Sequence, residues 1–159
     1  YWTEVIAPMI EGVDVEFIGE IEQRDKTAFL GNALALLFPT DWPEPFGLVM
    51  IEALACGTPV LAFDCGSVRE VLRDGITGRV VRSMDEAVAA VPETIRLDRR
   101  RIRAAFEQDF TARRMATDYV DIYRRLIETD RAARLKTGSV ATAVCQPVCP
   151  GSDELIAAP

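Results

Sequence analysis

Two carboxylates, Glu44 and Glu52, frame the run EPFGLVMIE, where residue types and spacing are best suited to chemistry. A helix read from about Gly47 to Cys56 leaves the amides of Phe46, Gly47, Leu48 and Val49 without partners at its positive end, which makes an anion site. Gly47 has no side chain, so a phosphate can approach the backbone closely there. Carboxylates repel phosphate, so Glu44 and Glu52 do not suit it as ligands; they suit hydroxyl groups on either side of it. A ribose diol, two phosphates and a sugar ring follow one another in that order in a nucleotide diphosphate-sugar. The plain alternative for each glutamate is a solvated charge on an amphipathic helix.

The neighbouring elements position these groups. Ala35 to Phe38 form a short apolar run that reads as a strand, and Pro39, Pro43 and Pro45 exclude regular structure up to Phe46. Beyond the helix, Gly57 offers a C-cap and Pro59 to Phe63 make a second short apolar strand. Two strands joined by a helix form a parallel βαβ unit, whose ligands bind beyond the carboxyl ends of the strands. Val49, Met50, Ile51, Ala53, Leu54 and Ala55 leave this helix almost no polar face, so burial is expected. A carboxylate on a buried helix needs a partner, and for Glu52 the hydroxyls of a ligand would serve.

EPFGLVMIEALACGTPV resembles the E-x7-E signature of retaining glycosyltransferases, most closely those of family 4. The likeness continues through GSVREVLRDGITGRVV and FTARRMATDYVDIYRRL, over residues 15 to 128. It implies an α/β fold, a partial Rossmann-like domain with a parallel sheet flanked by helices, forming the C-terminal half of a GT-B architecture. It also implies hexosyl transfer with retention from a nucleotide diphosphate-sugar donor, with no cofactor. By this resemblance Glu44 is the catalytic residue at the donor sugar, Phe46, Gly47, Leu48 and Val49 hold the diphosphate, and Glu52 holds the ribose. Ser67 and Glu70 match the loop that approaches the donor, and Ile21 and Lys26 match the base pocket; Lys26 reads equally well as a surface lysine at a helix start. The resemblance places the acceptor site, and the cations that clamp the diphosphate, in parts of the protein that precede these residues, including a separate N-terminal domain. This chain is therefore expected to be inactive by itself. The acceptor, whether glycan, lipid or small molecule, is left open. No metal is expected, since no DxD-like carboxylate pair is present. Two rival classes remain: a nucleotide-sugar epimerase of the same architecture, and a non-catalytic nucleotide-sugar binding module.

Bulk properties narrow the choice. A chain of 159 residues with 49% hydrophobic content supports one domain with a substantial core. The net charge of -7, from 25 acidic and 18 basic residues, argues against a nucleic-acid partner. No apolar run reaches the ~18 residues of a membrane span. A cytoplasmic setting is expected, with peripheral placement at the inner face of the membrane as an option. There is no signal peptide, and a start at Tyr1 suggests a fragment. Cys56 and Cys65 fall beside apolar elements, while Cys145 and Cys149 sit in a proline-containing tail. With no histidine in the chain the last two make a poor zinc site, and reduced thiols are expected.

The remaining segments read as supports. Residues 1 to 12 resemble the end of a helix, and Val15 to Ile18 alternate as a strand. Glu22 to Asn32 have helical spacing, with Ala28, Phe29 and Ala33 on one side. Ser67 is an N-cap candidate for a short helix, and DGITG turns into a strand from Arg79 to Val81. Ser83 to Leu97 form a helix capped by Ser83 or Asp85, with Ala87, Val88 and Val91 on one face and a kink or break at Pro92. Residues 99 to 129 form a long helical stretch broken near Phe110 and Thr111, with a stripe from Phe106 to Leu126 expected to dock largely onto the sheet. The domain is thus expected over residues 1–129, with a disordered tail over 130–159.

Overall fold

The computed structural model describes residues 1–137. A π-helical turn at Trp2–Ile6 leads into α1 (Ala7–Ile10), followed by α2 (Gln23–Asn32), β1 (Leu36–Phe38) and α3 (Leu48–Ala55). Then come β2 (Val60–Phe63), α4 (Val68–Val71), β3 (Gly78–Val81), α5 (Met84–Thr94), α6 (Arg99–Asp109) and α7 (Ala112–Thr137).

The strands form one parallel sheet in the order β1-β2-β3, with Leu36 level with Val60 and Val60 level with Gly78. Successive side chains on a strand point to opposite faces, and β2 shows the consequence. Val60 and Ala62 join a core with Met50, Ala53 and Leu54 of α3, Leu30 of α2 and Ile102 of α6. Leu61 packs on the other face with Val81 and Ala90 of α5. The expected fold class is therefore observed: a parallel sheet flanked by helices, the half of a Rossmann-like domain.

Arginines from α6 tie the first helical layer together. Arg99 donates to the carbonyls of Gly31 and Ala33 at 2.7 and 2.8 Å and to Thr58 Oγ1 at 2.8 Å, and Arg103 donates to the Ala55 carbonyl. These carbonyls lie at the ends of α2 and α3, where a cation meets the negative pole of the helix.

Several expectations need correction. Val15 to Ile18 form no strand, and Val15, Phe17 and Ile18 are exposed. A strand exists only where its backbone groups find a ladder partner, and among the described residues nothing pairs with this segment. Phe17 packs instead on Trp2, with ring centroids 4.1 Å apart. In α2 it is Leu30 that is buried, while Phe29 is exposed. Pro92 neither divides nor ends α5, whose last turn is kept by Ile95 N donating to Val91 O at 3.1 Å and Thr94 Oγ1 to Ala90 O at 2.8 Å. The buried face of α5 is Ala90 and Thr94, whereas Val88 and Val91 rim an apolar groove with Leu37, Phe63 and Met84. Ser83 provides the cap, accepting from Glu86 N at 3.2 Å.

The break before α7 falls where expected, with Thr111 Oγ1 accepting from Arg114 N at 3.2 Å. The described residues fall into two units, the first Tyr1–Met115 and the second starting at Ala116. In the first, Ile102 and Ala105 are buried and Phe106 and Phe110 pack against the core. In the second, α7 continues to Thr137, and Tyr119, Ile122, Tyr123 and Leu126 are exposed. The rest of the expected tail, with Cys145 and Cys149, lies outside the described residues. No described helix is long and apolar enough to cross a membrane.

Candidate functional site

The site begins where β1 ends. The chain from Pro39 to Phe46 has no regular structure, and in its middle Glu44 N donates to Trp42 O at 2.8 Å around Pro43. Gly47 then adopts φ 71° and ψ 63°, the left-handed conformation, as the N-cap of α3. A Cβ at this position would lie 2.5 Å from Met50 Cε and 3.7 Å from Glu44 Cγ. The glycine thus allows the helix to start sharply and leaves room beside the half-buried Glu44. Among the described residues Phe46, Gly47, Leu48 and Val49 donate no hydrogen bond through their amides, while Met50 N already donates to Gly47 O at 3.0 Å. Four unengaged amides therefore lie at the positive end of α3.

The turn after β2 closes over Glu44 from the other side. Gly66 has φ 56°, and a Cβ on it would lie 2.5 Å from Glu44 O and 2.6 Å from Glu44 N. Ser67 N donates to Glu44 O at 3.0 Å. Ser67 stands at the N-cap position of α4, but its hydroxyl makes no cap bond; Ser67 is 5% exposed and its Oγ is buried without a partner among the described residues. A buried hydroxyl left orphaned is uncommon and costly. Glu70 is exposed on α4.

Glu52 departs from its expected setting. Its side chain is 34% exposed rather than buried, and its partner is the Lys26 ammonium, which donates to Oε1 at 2.8 Å. Oε2 accepts nothing among the described residues. Lys26, with a side chain 30% exposed, thus sits on the Glu52 carboxylate itself and links α2 to α3. Ile21 lies just before α2, partly buried, and takes no place in the core around α3.

A third group was not anticipated. Asp64, the first residue past β2, accepts from Arg69 Nε at 2.5 Å and Nη2 at 2.6 Å, and from Arg82 Nε at 3.4 Å. The Arg69 hydrogen bonds hold the Asp64 carboxyl below its ordinary range, against a partial burial that would raise it, and Arg82 adds to the lowering. The same contact raises the Arg69 guanidinium. Asp41, Asp64, Cys65, Arg82 and Ser83 line an open cleft at this end of the sheet. The available signal was an aspartate at a strand end, five residues before an arginine across a Gly-Ser turn. No group of His, Cys, Asp and Glu among the described residues is arranged to hold a metal ion.

Comparison with known proteins gives this geometry a context. Residues 11–108 match the family described as glycosyl transferases group 1. A phosphatidyl-myo-inositol mannosyltransferase of Mycobacterium leprae is 40% identical over 76 residues, which is 48% of this chain and 20% of that protein. A glycogen synthase of Mycobacterium tuberculosis is 34% identical over 115 residues, 67% of this chain and 28% of that protein. Among solved structures, sucrose-phosphate synthase from Thermosynechococcus elongatus matches with a TM-score of 0.63 at 26% identity, covering 78% of this chain and 34% of that one. The chain spans less than a third of the length of these curated relatives.

Proposed function

Since the chain belongs to the group 1 glycosyl transferases, we propose that it supplies the donor side of a hexosyl transfer, with retention, from a nucleotide diphosphate-sugar, as in family 4. The observation that carries this reading is the start of α3, where four free amides lie between Glu44 and Glu52 beyond the carboxyl end of β1. In this reading the Phe46 to Val49 amides receive the diphosphate and stabilise the charge of the departing nucleoside diphosphate, an electrostatic role prepared in advance. Glu44 orients the donor sugar, and the orphaned Ser67 hydroxyl gains a partner when donor binds. Lys26 holds Glu52 by one oxygen and leaves the other to accept from the ribose hydroxyls. Ile21 is assigned to the base pocket.

A helix terminus contributes about 0.3 to 1 kcal/mol toward an exposed charge and about 2 kcal/mol when partly buried. Two phosphates need more than that, so the reading requires further cations and an acceptor site, supplied by an N-terminal domain outside this chain. By itself the chain binds donor weakly and does not turn it over. No cofactor or metal is assigned, the setting is the cytoplasm or the inner membrane surface, and the acceptor is a glycan, a lipid or a small molecule. Nothing in the site favours the epimerase or the binding module.

A heteronuclear NMR titration with UDP-, GDP- and ADP-glucose tests the reading. Shifts at Gly47 to Val49 and Glu52 with one nucleotide are expected, and would name the base. No shift with any of them at millimolar concentration, repeated with a protein extended at its N-terminus, would overturn it. In that longer protein Glu44→Ala is expected to abolish transfer.

A further inference from the structure

We infer that the Asp64–Arg69 ion pair is a positioning device for Glu44, acting through the Gly66–Ser67 turn. Glu44 lies in an irregular segment, and its own peptide is held from outside by that turn, through the Ser67 N–H bond at 3.0 Å and the close approach of Gly66. The position of the turn therefore sets the position of Glu44. One end of the turn is anchored to the sheet, where Asp64 N donates to Val81 O at 2.8 Å. The other end leads into α4, a helix of four residues whose N-cap hydroxyl makes no cap bond. The Arg69 fork supplies what the missing cap does not, clasping both Asp64 oxygens across the turn at 2.5 and 2.6 Å.

Arg82, arriving from the end of β3, adds a longer contact at 3.4 Å, so the carboxylate joins the ends of two strands and one helix. An ion pair this exposed contributes little to global stability, but a bidentate guanidinium fixes direction as a lysine ammonium does not. The role assigned to Asp64 and Arg69 is accordingly geometric, and neither is placed in contact with donor. That Glu44 acts on a donor sugar rests on the function proposed above; the positioning itself does not.

Hydrogen exchange of the Ser67 amide in the 159-residue chain tests the inference directly, because that amide makes the bond to Glu44. Asp64→Asn is expected to speed its exchange about tenfold or more, a local opening, and to shift the Glu44 resonances while Leu61 and Ala62 stay protected. Arg69→Lys, which keeps the charge and loses the fork, is expected to do the same. Ser67 protection and Glu44 shifts equal to wild type in both variants would overturn the proposal, as would equal loss of protection at Leu61 and Ala62. UDP-, GDP- and ADP-glucose titrations run alongside are expected to show weaker binding in both variants. If wild type responds to none of these sugars, the donor reading fails, while exchange at Ser67 still decides the positioning.

Discussion

A carboxylate on an apolar helix must find a counterpart, and Glu52 finds Lys26 on the neighbouring helix. Both side chains are about one third exposed, so the pair contributes no more than about 1 kcal/mol. Lys26→Met is therefore expected to lower the unfolding free energy measured in urea by only about 1 kcal/mol or less, while weakening nucleotide-sugar binding; a loss of several kcal/mol would mark Lys26 as structural instead. Asp64 gives a pH signature. Its folded value is lowered by Arg69, so its contribution is complete above the ordinary value of 3.8 and fades as pH falls through the lower folded value. Carboxyl carbon shifts are expected to place the Asp64 midpoint below 3.8, and Arg69→Leu to move it upward. The placement of Glu44, Gly47 and the Phe46 to Val49 amides was legible in the sequence because they are local to one helix start. The Asp64 cluster was not, because Arg82 meets Asp64 only through the pairing of β2 with β3.

Elements were legible where a short apolar run carried its own boundaries. β1, α3 and β2 fall where prolines and glycines punctuate the chain, and Thr111 marks the break before α7. Val15 to Ile18 had the alternation of a strand but no neighbour to pair with, and alternation alone does not provide one. On α5 the valines looked like the packed face, yet Ala90 and Thr94 are buried because small residues let the helix sit close to β2 and β3. The two helices flanking the sheet consequently differ in sensitivity. Ile102→Ala, at a fully buried position of α6, is expected to cost about 2 to 5 kcal/mol in chemical denaturation. Val88→Ala, on a side chain 67% exposed, is expected to stay within about 0.5 kcal/mol.

At the scale of the molecule, parallel sheets are ordinarily covered on both faces and extended on both sides. Here β1 pairs only with β2 among the described residues, and Leu37 in its middle is 60% exposed. Leu37 also opens onto the apolar groove shared with Phe63, Met84 and Val88. A row of unpaired amides and carbonyls beside apolar side chains is a template that another extended chain can copy. In a test tube this makes shelf life and concentration the practical variables. The chain is expected to clump slowly when concentrated, through strand-to-strand recruitment rather than through loss of its core, and sedimentation should register growing species before circular dichroism changes. Leu37→Lys puts a charge on that margin, as natural edge strands do. It is expected to keep the material monodisperse at concentrations where the parent chain has begun to precipitate.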